Sequence, residues 1–434
     1  MQRVLLVLLA TLAACGGNPA VTSGSIVPPL PGPIGSPVQG TVVNRFGEPV
    51  SGARVGIGTA SRVTNAQGKF TVPLVPQTYD AAVVVDDPAV PPGFPPVSRA
   101  VVYQQLTRRD PVLFVPGLAV QPGTGTHSTT LQSLSTSGLT GVPLLWAFTN
   151  ASGFVAAGVV TGAEMHFTWN GPPDAVNPGS LVAMIASAPQ GITASGSVPV
   201  TAAAPISVTV PVTAAPTITL SATARPPAGC GVVGLDVVIP ASDGTTVTAA
   251  RLFAPVVPGT SGVTVDSIIG FTNDVKLSLR ISTTCLSSSA TSSVARRLPR
   301  RLSPSTTVFD VDVPAPPVIT SPAFGSPASS ASPLAWTAPD GSISVLHFDR
   351  LESNGFISRT LDLATTSTST AFPNLAALGV KGVPGLSFVW RVEAWGGLTG
   401  TDALADTSGF GALLAGTGNF SHGVSASSSV TISP

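Results

Sequence analysis

The sequence predicts an all-β fold, a string of small antiparallel β-sandwich domains behind a secretion leader and a flexible tether. Three observations carry that prediction. Gly (45) and Pro (43) together make up about a fifth of the 434 residues, which favours turns and short strands over helices. Hydrophobic residues reach 43% while charged residues are only 9%, a balance that can bury cores and argues against solvated disorder. Apolar residues also recur with a period of two between Gly and Pro turns, the pattern of strands with one buried face. The length allows about three domains, or four if they are small all-β units.

Charge narrows the function classes. The formal net charge is zero, with 20 basic and 20 acidic residues, so there is no overall basic surface to neutralise phosphates and no nucleic-acid partner is expected. Seventeen of the basic residues are Arg and three are Lys (Lys69, Lys276, Lys381), a compositional bias without functional content.

The elements follow in chain order. Arg3 precedes an apolar run over 4–12, then Leu12-Ala13-Ala14-Cys15 and Gly16-Gly17. A charged start, a short apolar core and small residues before a cleavage point describe a secretory signal peptide over 1–14, and the core is too short to span a bilayer. With Cys at the cut, the segment resembles the bacterial lipobox. That resemblance implies diacylation of the Cys15 thiol, with Cys15 as the new N-terminus and the membrane as a partner through its lipid. Gly16 in place of Asp after Cys15 favours the outer membrane if the organism has one, and otherwise the outer face of the cytoplasmic membrane. Residues 15–36, rich in Gly, Pro and Ser with Pro28-Pro29 and Pro31-Gly32-Pro33, form the lipidated Cys and a linker.

From Val38 the pattern sharpens. Val38, Gly40 and Val42 alternate before a Gly47-Glu48-Pro49 turn. Val50, Ala53, Val55 and Ile57 then lead to Thr64-Asn65-Ala66-Gln67-Gly68-Lys69-Phe70. Residues 37–118 resemble the carboxypeptidase regulatory-like domain, a transthyretin-like β-sandwich, at Gly40, Gly47, Pro49-Val50, Gly52-Ala53, Val55, Thr64, Gly68, Phe70 and Tyr79. Asn65 stands where Asp is common, and Gln77 where Gly usually precedes the x-Tyr. The resemblance implies an accessory folding or binding module and no peptidase, because the zinc ligands of the catalytic domain are not in this sequence.

Residues 119–213 read as a second, unnamed β-sandwich. Leu144, Trp146 and Phe148 alternate, as do Met165, Phe167 and Trp169, and 181–185 is a fully apolar run. Residues 214–316 read as a third, with Leu277, Leu279 and Ile281 alternating against Lys276, Ser278 and Arg280. If Cys15 is lipidated, Cys230 and Cys285 remain, and export makes a disulfide between them the expectation, two buried thiols being the alternative. The immunoglobulin signature fails here, since no Trp lies between them and no Tyr precedes Cys285 by two.

A linker rich in Ser, Pro and Ala opens 317–434. Leu334-Ala335-Trp336 and Leu386-Ser387-Phe388-Val389-Trp390-Arg391-Val392-Glu393-Ala394 resemble the second-strand Trp and the penultimate-strand motif of fibronectin type III domains. Phe388 occupies the usual Tyr position, so the tyrosine-corner bond is missing. The strand period puts Phe388, Trp390, Val392 and Ala394 inward, leaving Arg391, Glu393 and Trp395 outward.

No catalytic constellation is legible, so the chain is not expected to be an enzyme and no cofactor or metal is expected. The four histidines, His127, His166, His347 and His422, lie far apart and lack metal-ligand spacing. Asp86-Asp87 and Asp310-Val311-Asp312 offer too few oxygens for Ca²⁺ and read as solvated carboxylates. Arg296-Arg297-Leu298-Pro299-Arg300-Arg301 reads as a solvated loop, with a processing site or an anionic-surface patch as the alternative. Four tryptophans sit in strand patterns that predict burial, and Trp395, beside Gly396-Gly397, is the exposed ring and the ligand-contact candidate. These readings converge on a membrane-anchored, non-enzymatic envelope lipoprotein that binds or holds another envelope component, protein or polysaccharide. A carbohydrate-binding or adhesion lipoprotein and an enzyme with an unrecognised site are the alternatives.

Overall fold

The computed structural model describes residues 35–44, 48–87, 97–115, 126–138, 144–151, 154–160, 165–170, 177–187, 191–202, 205–241, 246–253, 262–270, 272, 275–285, 290–298, 307–323, 326–329, 332–351, 357–379, 386–406 and 420–433. Contacts divide the chain into residues 1–34 and residues 35–434, and all described residues belong to the second unit. The leader, Cys15 and nearly all of the tether therefore lie outside the described residues, as do Pro299, Arg300 and Arg301.

The protein is all-β, with several antiparallel sheets. Among the described residues, helix is confined to the turns Ala376–Leu378 and Thr401–Leu404. The alternation read from the sequence sets which faces are covered. Val38 and Val42 in Ser36–Asn44, Phe70 and Val72 in Lys69–Val75, and Leu279 and Ile281 in Ser278–Cys285 are all buried. Turn chemistry closes the first hairpins. Thr64 Oγ1 accepts from Ala53 N at 2.9 Å and donates to Val50 O at 2.7 Å, while Asn65 Oδ1 accepts from Gln67 N and Lys69 N. Gly68 has φ +67°, and a Cβ there would lie 2.5 Å from Val42 O, so only glycine fits this turn.

Sheets and cores run across the boundaries of the sequence segments. One 14-stranded sheet passes in order through Thr246–Phe253, Cys230–Pro240, Ser278–Cys285, Thr291–Arg297, Phe420–Val424, Leu386–Gly396, Ile343–Leu351, Ile357–Thr365, Val97–Leu106, Tyr79–Asp87, Arg54–Ile57 and Ala60–Val63, with two further strands off this path. Strands from 37–118, 214–316 and 317–434 thus pair edge to edge, which removes edges that would otherwise stay unpaired. The joins are Arg359–Ala364 running parallel to Ser98–Tyr103, and Thr291–Ala295 antiparallel to Phe420–Val424.

The cores follow the same pairing. One packs Val38, Val83, Tyr103 and Leu113 against Ile343, Val345, Trp395 and Leu404, and a second packs Val84, Ala100 and Val102 against Trp336, Phe348 and Trp390. The first and last segments therefore bury each other's apolar faces. A third core joins Leu145, Val182, Met184 and Ile192 to Leu220, Leu235, Leu279 and Val294, linking 119–213 to 214–316. The Trp146–Phe148–Phe167–Trp169 core stays within 119–213.

Candidate functional site

Among the described residues, a continuous set of part-buried ionisable groups lies where the first and last segments share a sheet. On the strand Ile343–Leu351, alternation sends Leu346 and Phe348 into the aromatic core and turns Val345, His347 and Asp349 to the opposite face. Register then aligns partners on three neighbouring strands. His347 sits opposite Asp362 on Ile357–Thr365 and opposite Arg391 on Leu386–Gly396, and His422 on Phe420–Val424 sits opposite Trp395.

The side chains form a continuous ladder. His347 Nδ1 meets Asp362 Oδ1 in a short hydrogen bond, and His347 Nε2 lies 3.2 Å from Glu393 Oε1. That second contact is off the N–H direction, so it is an ion contact and not a directed hydrogen bond. The other carboxylate oxygen, Glu393 Oε2, lies 3.2 Å from His422 Nε2. Arg391 Nε donates to Glu393 Oε1 at 3.4 Å, and Arg391 also stands 3.9 Å from Asp349 Oδ2. The side chains of Asp362, Glu393, His347 and His422 are between 12% and 21% exposed, so solvent screens them weakly.

Electrostatics follow from that burial. Burial alone would lower the His347 pKa, but the Asp362 charge and hydrogen bond, with Glu393 on the other side, push it up to about 10. Burial would raise Glu393, yet His347 and His422 hold its carboxyl well below the usual range. Asp349 is raised by burial, against the pull of Arg391. This arrangement can hold a cation between two carboxylates. Among the described residues no group of three or more His, Cys, Asp or Glu could hold a metal ion.

Trp395 is a correction to the sequence reading. It does lie on the face opposite Trp390, but that face is covered: the ring is 9% exposed, packed in the core shared by the first and last segments. It stacks on His422 with ring centroids 3.9 Å apart and tilts against Phe420 at 5.7 Å. The outward face of the last segment is covered because Val83, Val101 and Tyr103 pack in the same core. Trp395 is therefore a packing residue of this site.

Cys230 and Cys285 face each other in register on neighbouring antiparallel strands and are joined as a disulfide. Asp86 is held by Arg54 and Ser98, with the Arg54 hydrogen bonds lowering its pKa, and Asp310 and Asp312 both pair with Arg225. Arg296 is part-buried, donating to Ala295 O and Phe420 O, and that burial lowers its pKa. Trp146, Trp169, Trp336 and Trp390 are all buried. An open depression of about 640 Å³ lies beside the Ile57–Ala60 turn, with Leu74, Pro76 and Asp80 in its lining.

Sequence reading missed the ladder. Its four residues span 75 positions from His347 to His422, and only strand register brings them together. The available signal was weak: His347 and Asp349 share a polar face, as do Arg391 and Glu393, which a period-two pattern assigns to solvent.

The fold and this site define an all-β protein of sheets shared between segments, with a part-buried ion ladder at one seam. No protein-family model matches the chain, and no curated protein matches it. Solved structures give distant likenesses. A leucine-rich repeat protein from Bacteroides thetaiotaomicron VPI-5482 is 9% identical over 44% of this chain and 26% of its own, with a TM-score of 0.16. The shaft pilin SpaA from Lactobacillus rhamnosus GG is 9% identical over 42% of this chain and 98% of its own, with a TM-score of 0.16. The SGBP-B protein of a Bacteroides ovatus mixed-linkage glucan utilization locus, solved with a heptasaccharide, is 9% identical over 92% of this chain and 98% of its own, with a TM-score of 0.13. Scores this low carry no inference about fold or function.

Proposed function

We propose that the chain is a lipid-anchored, non-enzymatic envelope protein whose shared-sheet body binds or holds another envelope component, protein or polysaccharide. The observation that carries the reading is the sheet shared by segments 37–118, 214–316 and 317–434, which joins accessory-type segments edge to edge. Its part-buried ionisable ladder ties neighbouring strands of that sheet together. The likeness of 37–118 to carboxypeptidase regulatory-like domains and of 318–434 to fibronectin type III domains supports the same role, since both are accessory modules. Arg3, the apolar run over 4–12 and Cys15 supply the anchor. Among the described residues no helix is long and apolar enough to cross a membrane. Glycan stacking on Trp395 is not part of the proposal, because that ring is buried.

Fractionation and in-cell cross-linking test the reading together. The tagged chain should label with palmitate, partition with membranes and capture one dominant envelope component, and Cys15→Ser should abolish labelling and partition. An unlabelled wild-type chain in the soluble fraction would sink the anchor, and recovery of the chain alone would sink the scaffold.

A further inference from the structure

The Asp362–His347–Glu393–His422 ladder crosses the whole width that the last segment contributes to the large sheet. Asp362 stands on the strand that pairs with Val97–Leu106 of the first segment, and His422 on the strand that pairs with Thr291–Arg297 of the third. One imidazole thus sits between two carboxylates on the two strands flanking it. We propose that the ladder is a pH-sensitive latch on this seam: protonated His347 clamps Asp362 to Glu393, and loss of its proton in alkaline solution leaves the buried Asp362 and part-buried Glu393 carboxylates facing a neutral ring, which loosens the three strands.

Asp349 flanks His347 on its own strand, Asp362 faces it from one side, and Arg391 and Glu393 face it from the other. His422 reaches it only through Glu393. From the first segment, Arg99 acts on Asp349, and Tyr103 feels the charge of Asp362. Arg391 cannot replace the lost cation, since its contact with Glu393 is long and it never reaches Asp362's side of the ring.

The direction of the effect follows from linkage. His347 titrates near 10 in the folded chain against 6.5 for a free imidazole. Its stabilisation is therefore fully present below about pH 6.5 and is lost as pH rises through about 10. Little else titrates in that window. The chain has only three Lys and two Tyr; burial raises Tyr79 and Tyr103, so they add to the alkaline loss only as the unfolded phenols ionise near pH 10, and comparison of the unaltered chain with His347→Gln removes their share.

The test needs no binding partner, so it is independent of the proposed function. In the full chain with labelled histidine, NMR should show the His347 ring still charged at pH 8. The melting temperature should fall by several degrees between pH 7 and pH 10, and His347→Gln should start lower and lose less than half as much. A neutral His347 ring at pH 7, or an equal alkaline fall in His347→Gln, overturns the latch. Should that variant not fold, the ring titration in the unaltered chain decides alone. Asp362→Asn should move that titration down by at least one pH unit, and an unmoved titration also overturns the proposal.

Discussion

At the residue scale, Trp395 shows how one side chain changes meaning once its neighbours are known. On the strand Leu386–Gly396 it alternates with Trp390, as the period of two requires, yet both rings are buried because both faces of that strand are covered. Removing the ring leaves a cavity beside His422 and Phe420. Trp395→Ala should cost about 3–5 kcal/mol in denaturant unfolding, with no accompanying change in glycan retention. A small stability change with lost glycan retention would restore Trp395 as a contact residue. The Asn65 turn poses the opposite case. Its side chain caps two backbone N–H groups, and neighbouring Gly68 occupies a left-handed backbone. Gly68→Ala adds a Cβ against Val42 O and should lower stability by more than about 1 kcal/mol, read as a shifted denaturant midpoint at unchanged slope.

At the element scale, the strands were legible where one side of a strand is apolar and the other polar. Leu277, Leu279 and Ile281 against Ser278 and Arg280 are such a run, and the first group is buried. Strand pairing was not legible, because period-two alternation fixes a face but names no neighbour. His347 and Glu393 were each on the polar side of their own strand, and nothing local told that those sides meet. The disulfide acts at this scale. It joins Cys230 and Cys285 across a separation of 55 residues. Closing a loop of that length is worth about 4 kcal/mol in the chain-entropy model. Reduction should lower the stability of the body by that order, measured as the difference between oxidised and reduced unfolding curves. Two free thiols in unreduced protein would remove the bridge.

At the scale of the whole molecule, the first and last segments depend on each other. Besides their shared cores, Asp402 accepts from the backbone N–H groups of Thr107 and Arg108, Arg108 pairs with Asp406, and Val112 N donates to Ala405 O at 2.7 Å. Expressed alone, 37–118 would expose Val84, Ala100 and Val102, which pack on Trp336 and Phe348 in the full chain. It should therefore aggregate or fail to melt cooperatively, whereas co-expression with 317–434 should restore a soluble pair. A monomeric, cooperatively folded 37–118 fragment would show that the shared cores are not required.

What the sequence alone determined was the part set by local chemistry: an all-β chain, turns such as that at Asn65 and Gly68, and an apolar side on many of its strands. Those follow from side-chain period, turn residues and composition, all readable within a dozen positions. The tertiary structure decided which strands are neighbours. That choice joined the first segment to the last, covered Trp395, set Cys230 opposite Cys285, and brought His347, Asp362, Glu393 and His422 into one ladder. Edge strands accept partners through backbone groups that every residue carries, so side-chain pattern could not name the partner, and only the burial of faces across the folded body selects it.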